Sequence, residues 1–188
     1  ARGVQVTAEV TPHHLILTDE KARSYDPRYK VNPPLRRDED VRALRAAVAD
    51  GVIDIIATDH APHPAESKEC EWVAAAFGMV GLESALPIAL LALVNEGHTS
   101  WAELERLLSQ KPAEIGRLEG HPASLEVDQV ADLVLVDPGA SSVFSVADLK
   151  GMSHNSPFLD MELPGRVAYT VRRGYLTLDD GELVSAPA

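Results

Sequence analysis

The stretch Val52-Ile53-Asp54-Ile55-Ile56-Ala57 constrains this chain more than any other. Nearly every residue in it is β-branched or apolar, the pattern of a strand covered on both faces in a parallel sheet. Before it, Val41, Leu44, Ala47 and Val48 recur at helical spacing, with Asp38 suited to the N-cap and Gly51 just past the end. Earlier still, Val4 to Val10 alternates as Val-Gln-Val-Thr-Ala-Glu-Val and stops at Pro12, which has no N–H to give a ladder. Strand, helix, strand in that order predicts a right-handed crossover between parallel neighbours. The intervening loop, running through His13, His14, Asp26, Asn32, Pro33 and Pro34, is long for a compact domain, and loops of that kind are usually functional.

Helical stretches are expected near Leu82 to Glu96, Ser100 to Leu108 with Ser100 as cap, and Pro112 to Leu118. From Gly120 the character changes to short strand-like runs at Leu133 to Val136, Val167 to Arg172 and Tyr175 to Leu178. Arg173-Gly174 and Asp180-Gly181 read as turns, the second as a hairpin between Thr177 and Val184. The expected organisation is therefore an α/β portion over residues 1–119 and a small β portion over residues 120–188.

Composition narrows the function classes. The chain has 188 residues, and 45% of them are hydrophobic, enough for a real core. Lys and Arg total 17 against 29 Asp and Glu, a net charge of -12 that disfavours nucleic acid and anionic membrane surfaces as partners. A small-molecule or protein partner is expected. The single cysteine, Cys70, forms no internal disulfide or thiolate metal site, which fits a cytoplasmic location and leaves metal binding to His and carboxylates. The longest apolar run, Ala85 to Val94 with Pro87 inside it, is too short to span a bilayer. Cys70 itself has no functional reading.

Three clusters carry the chemistry-bearing residue types. Thr58-Asp59-His60-Ala61-Pro62-His63 follows the buried-type strand, where parallel α/β folds place their active sites. A carboxylate there binds a divalent metal or moves a proton, and His63 reaches over the same pocket; the plainer alternative is an Asp capping a turn with His residues nearby. Thr11-Pro12-His13-His14 ends the first strand, and two adjacent His on an extended segment point in opposite directions, so at most one faces a given pocket. In Lys30-Val31-Asn32-Pro33-Pro34-Leu35-Arg36 the proline pair stiffens the loop, either as a rigidifier alone or to aim the Asn32 amide at a planar amide or carboxylate.

Taken in order, Thr7-Ala8-Glu9-Val10-Thr11-Pro12-His13-His14-Leu15, Lys30 to Arg36, Ile56-Ala57-Thr58-Asp59-His60-Ala61-Pro62-His63 and Phe77-Gly78-Met79-Val80-Gly81-Leu82-Glu83 resemble the bacterial dihydroorotases of the amidohydrolase superfamily. The resemblance runs on through Ala131-Asp132-Leu133-Val134 and Asn155-Ser156-Pro157-Phe158 to Arg173-Gly174, with one departure at Asp128-Gln129, where the family tends to carry a turn glycine. It implies a partial (β/α)8 TIM barrel whose seventh and eighth strands are Val4 to Val10 and Val52 to Ala57, plus the C-terminal part of a small β-sandwich domain. It also implies two zinc ions per active site, Asp59 as metal ligand and proton shuttle, Asn32 and His63 on the substrate carboxylate and ring, and a backbone contact from Phe77 and Gly78 to the pyrimidine. The substrate pair would be dihydroorotate and N-carbamoyl-L-aspartate.

His13 and His14 match no metal ligand of the family. Its remaining ligands, a first-strand His-x-His pair with a nearby Arg, a fourth-strand carboxylate and two further His, have no counterpart after Ala1. An N-terminal portion of the same protein is expected to supply them, and the chain as it stands is expected to be inactive. Two rivals remain: an allantoinase or hydantoinase, and a metal-free dihydroorotase-like subunit that scaffolds aspartate transcarbamoylase.

Overall fold

A computed structural model of the chain describes residues 3–119 and 125–185. Strand β1, Glu9–Val10, lies parallel to β2, Ile55–Ile56, with Glu9 opposite Ile55 and Val10 opposite Ile56. Helix α1, Asp38–Ala49, connects them, so the expected strand, helix, strand unit with parallel neighbours is present. Both strands are shorter than their sequence runs. Val4 and Val6 are 72% and 80% exposed, and alternation without a neighbouring strand leaves that segment as coil. At the other strand, Val52 is exposed and the Asp54 carboxylate takes the Ala8 N–H at 2.8 Å, so ladder pairing begins only at Ile55.

In α1 the cap shifts by one residue: Arg37 occupies the N-cap, and Asp40 Oδ2 accepts the Arg37 N–H at 3.2 Å. Asp38, Glu39 and Asp40 fill the first turn, where carboxylates complement the helix dipole. Val41 and Val48 face inward, and Val48 joins Val10, Ile53, Ile56, Leu90, Leu93, Leu104 and Leu107 in one core. Burying each such side chain contributes on the order of 1.5–3 kcal/mol.

After β2 the chain makes a short helix α2, Ala65–Lys68, then α3, Leu82–Ala89, which carries Pro87. Beyond the proline, Leu90–Val94 widens to i→i−5 bonding, with Asn95 N–H donating to the Leu90 carbonyl at 2.9 Å. The two helices expected after Ser100 run without a break, as α4 (Trp101–Glu105), a wide turn over Arg106–Gln110 and α5 (Lys111–Gly116). Ser100 caps α4 as expected, its hydroxyl accepting the Glu103 N–H at 3.2 Å.

The later part forms one antiparallel sheet in the order β3 (Leu133–Val143), β4 (Glu162–Arg172), β5 (Tyr175–Asp179), β6 (Glu182–Leu183). Arg173-Gly174 and Asp180-Gly181 turn its two hairpins with both residues at positive φ, the combination two-residue hairpins require. At the departure from the family pattern, Asp128 sits at φ 73, a conformation Asp tolerates and glycine favours. The expected boundary at residue 120 falls outside the described residues. The sheet and the α/β portion share a second core of Leu17, Val31, Met79, Val80, Ile88, Phe144, Phe158 and Leu163. Among the described residues no helix is long and apolar enough to cross a membrane.

Candidate active site

Asp59 stands three residues past β2 with φ 49, the left-handed region that only Gly, Asn and Asp visit readily. Its carboxylate is 42% exposed, and Oδ2 lies 4.0 Å from Nε2 of His13, whose side chain is 2% exposed. That nitrogen has no hydrogen-bond partner among the described residues, although a buried polar atom normally has one. Burial pushes the His13 imidazole down to about 3, and the neighbouring His14 adds to the shift, so the ring is neutral at physiological pH. A left-handed backbone, an open carboxylate and an orphaned buried nitrogen together mark the end of β2 as a place built for a ligand or a reaction.

The two histidines do not alternate as on an extended segment. They occupy a 3₁₀ turn, His13–Leu15, with ring centroids 4.5 Å apart, and both are buried. His14 Nε2 lies 3.1 Å from the Pro33 carbonyl, which can only accept, so that nitrogen carries the hydrogen; Nδ1 takes the Thr11 hydroxyl at 2.7 Å. His14 thus pins the loop that carries Asn32. The Asn32 side chain itself is exposed, next to a cis Asn32-Pro33 peptide.

His63 is held from two sides. Its N–H donates to Asn155 Oδ1 at 3.3 Å, and its Nε2 donates to the Phe77 carbonyl at 2.8 Å. Asn155, buried at 6% exposure, donates through Nδ2 to the carbonyls of Ala61 at 3.0 Å and Gly78 at 3.3 Å. Segments 61–63 and 77–78 are therefore fastened side by side, and Ala61 N–H donates to the Met79 carbonyl at 2.9 Å. A cavity of about 570 Å³ opens beside His63 and is also lined by Asp26, Arg28, Lys68 and Asn155. A larger apolar cavity of about 980 Å³ lies against Trp101, Leu104 and Val136 and contains none of the site residues.

The structure thus groups His63, Phe77 and Gly78, pairs Asp59 with His13, and ties the Asn32 loop to that pair through His14. Among the described residues no three His, Cys, Asp or Glu side chains are grouped to hold a metal ion. A lone open carboxylate such as that of Asp59 can contribute one ligand to a metal ion and does not by itself make a metal site. Cys70 is half-buried with its thiol 3.7 Å from the Ser67 carbonyl. Sequence reasoning missed the roles of Asn155 and His14, although both sit inside motifs already singled out.

A parallel strand pair with a carboxylate just past its C-terminal end, in a chain of mixed helices and sheets, is the arrangement in which α/β enzymes place their chemistry. The amidohydrolase family model matches residues 1–177, and the chain belongs to that family. It is 59% identical over 186 residues to a protein named dihydroorotase from Leifsonia xyli subsp. xyli and 54% identical over 183 residues to one from Streptomyces coelicolor. These alignments take in 99% and 97% of this chain, and the chain spans 42% and 43% of the length of those relatives. Among solved structures, an L-hydantoinase from Arthrobacter aurescens superposes with a TM-score of 0.85 at 31% identity, over 96% of this chain and 41% of that one.

Proposed function

We propose that the whole protein is a cytoplasmic, zinc-dependent dihydroorotase that interconverts dihydroorotate and N-carbamoyl-L-aspartate. The carrying observation is Asp59: a half-open carboxylate fixed by a left-handed backbone at the end of β2, in a chain 59% identical to a protein of that name. In this reading β1 and β2 are the seventh and eighth strands of a (β/α)8 barrel, and the β3–β6 sheet is the C-terminal share of a small β-sandwich divided from the barrel near residue 120.

Asp59 holds zinc as one ligand, the other ligands coming from an N-terminal portion of the protein. Bound zinc supplies Lewis acidity at the ring amide carbonyl and acidifies the attacking water. Asp59 takes up the proton released by that water and returns it to the ring nitrogen as the C–N bond breaks, so one carboxylate serves as base and then acid. Asn32 and His63 orient the substrate carboxylate, His63 through Nδ1–H because its Nε2–H is held by the Phe77 carbonyl; this contributes positioning and no bond making. The Phe77–Gly78 backbone contacts the ring.

Dihydrouracil and hydantoin test the substrate assignment because both lack the carboxylate that Asn32 and His63 would recognise. A site that hydrogen-bonds a substrate group discriminates against analogues that lack it, so the zinc-loaded full-length protein should turn over dihydroorotate at least about 100-fold faster than either. A preference for hydantoin would replace this reading with a hydantoinase one, the alternative that the Arthrobacter aurescens superposition favours.

A further inference from the structure

Lys30 and Lys68 are buried, at 8% and 5% exposure, and both ammonium groups end on one short stretch of backbone. Lys30 Nζ donates to the carbonyls of Trp72 at 2.7 Å, Val73 at 3.1 Å and Ala75 at 2.6 Å, which uses all three of its hydrogens. Lys68 Nζ donates to the carbonyls of Ala76 at 2.9 Å and Gly78 at 2.8 Å. With the Phe77 carbonyl on His63, six of the seven carbonyls from Trp72 to Gly78 accept from a side chain. Lys30 Nζ also lies 4.6 Å from the centre of the Phe77 ring, a cation–π distance.

Burying two like charges side by side is costly. Burial and the neighbouring Lys30 hold the Lys68 ammonium below the usual lysine range. The arrangement has a geometric return. Carbonyls drawn to one side leave amide N–H groups to be satisfied elsewhere, and those of Ala74 and Ala75 reach the Glu71 carbonyl, that of Ala76 reaches Ser67, and that of Gly78 reaches Lys30. Within Trp72–Gly78 the N–H groups of Trp72, Val73 and Phe77 find no acceptor among the described residues, and of these Phe77 is the one next to Gly78 and His63.

We propose that Lys30 and Lys68 are positioning residues: they clamp Trp72–Gly78 against the Lys30–Asn32 segment and so present the Phe77 N–H, free and fixed, to a carbonyl oxygen of the bound ring. The proposal rests on the cyclic-amide reading above and deepens it, because it makes the Asn32 loop and the Phe77 loop one rigid receptor. Two observations support that coupling: Gly78 N–H donates to the Lys30 carbonyl at 2.8 Å, and Lys30 stands two residues before Asn32.

The test uses Lys30→Met and Lys68→Met in the full-length protein, since methionine keeps the length of the stem and removes the donors. With no ligand present, amide hydrogen exchange in residues 72–78 should accelerate at least tenfold in both variants. The KM for dihydroorotate should rise tenfold or more while kcat stays within threefold and zinc content is unchanged. Unchanged exchange in both variants overturns the clamp whatever the kinetics. Faster exchange with an unchanged KM overturns the role in presenting the Phe77 N–H. A wild-type protein that ignores dihydroorotate, alongside faster exchange in the variants, sinks the substrate reading and supports the clamp. Should neither variant fold, the wild type decides: N-carbamoyl-L-aspartate should slow exchange of the Phe77 amide at least tenfold, and no slowing overturns the proposal.

Discussion

Gly78→Ala tests the site geometry most sharply. Gly78 has φ +118, and a Cβ there would lie 2.5 Å from Ala61 Cβ and 3.4 Å from His63 Nε2. Carbon atoms in contact sit about 3.5–4.0 Å apart, so the two segments must separate by roughly 1 Å. The obstructing atom is an alanine Cβ, one bond from the backbone, and it cannot rotate aside. Backbone strain at such a φ adds about 1–3 kcal/mol. The displaced Gly78 carbonyl also loses its geometry with Lys68 and Asn155. A misplacement of about 1 Å in substrate-positioning groups costs on the order of 100-fold in rate. In the full-length protein, kcat/KM for dihydroorotate should therefore fall by about that factor. Gly97→Ala is the control, because Gly97 has φ +74 and nothing within 4 Å of the added Cβ. It pays about 1–2 kcal/mol of conformational strain with no clash and should keep kcat/KM within about twofold. If Gly78→Ala also stayed within threefold of wild type, the tight seam between segments 61–63 and 77–78 would not be part of the working site.

Asp59→Asn in the full-length protein should abolish turnover and leave the fold intact, since Asn accepts the same backbone but cannot take up the proton; near-normal kcat would remove Asp59 from the shuttle role. His63→Ala and Asn32→Ala should raise the KM for dihydroorotate with zinc content preserved, and loss of most of the metal from either would reassign that residue as a ligand. The 188-residue chain assayed alone with added zinc should show no turnover, because a catalytic zinc site typically takes three protein ligands and Asp59 supplies one. Activity that appears only on mixing with an N-terminal portion of the protein would agree with this, and turnover by the chain alone would refute it.

The elements that could be read from sequence were those whose signal is local. The span of α1 followed from the 3.6 period of Val41, Leu44 and Val48, and both hairpins from turn pairs that tolerate positive φ. Strand lengths could not be read this way, because a ladder needs a partner: Val4 and Val6 alternate correctly yet have no strand beside them among the described residues. The same limit hid much of the site. Asp59 was visible as a carboxylate at a strand end, but the His13 nitrogen near it was not, since the two residues lie 46 positions apart and meet only when β1 and β2 pair. Lys68 was invisible for a related reason. A lysine reads as surface until the fold wraps carbonyls around it, and those of Ala76 and Gly78 lie 8 and 10 residues away.

The left-handed backbone at Asp59 has an evolutionary consequence. With φ 49 the position comfortably admits Asp, Asn or Gly, and only the first can exchange a proton. Both alternatives are reached from an aspartate codon by one nucleotide change, and neither strains the chain. Once selection for chemistry is relaxed, the shortest mutational path at this residue leads to a folded protein with a silent active site rather than to a misfolded one. Chemistry and architecture are separable here, so inactive descendants of such a scaffold can persist wherever the shape alone remains useful.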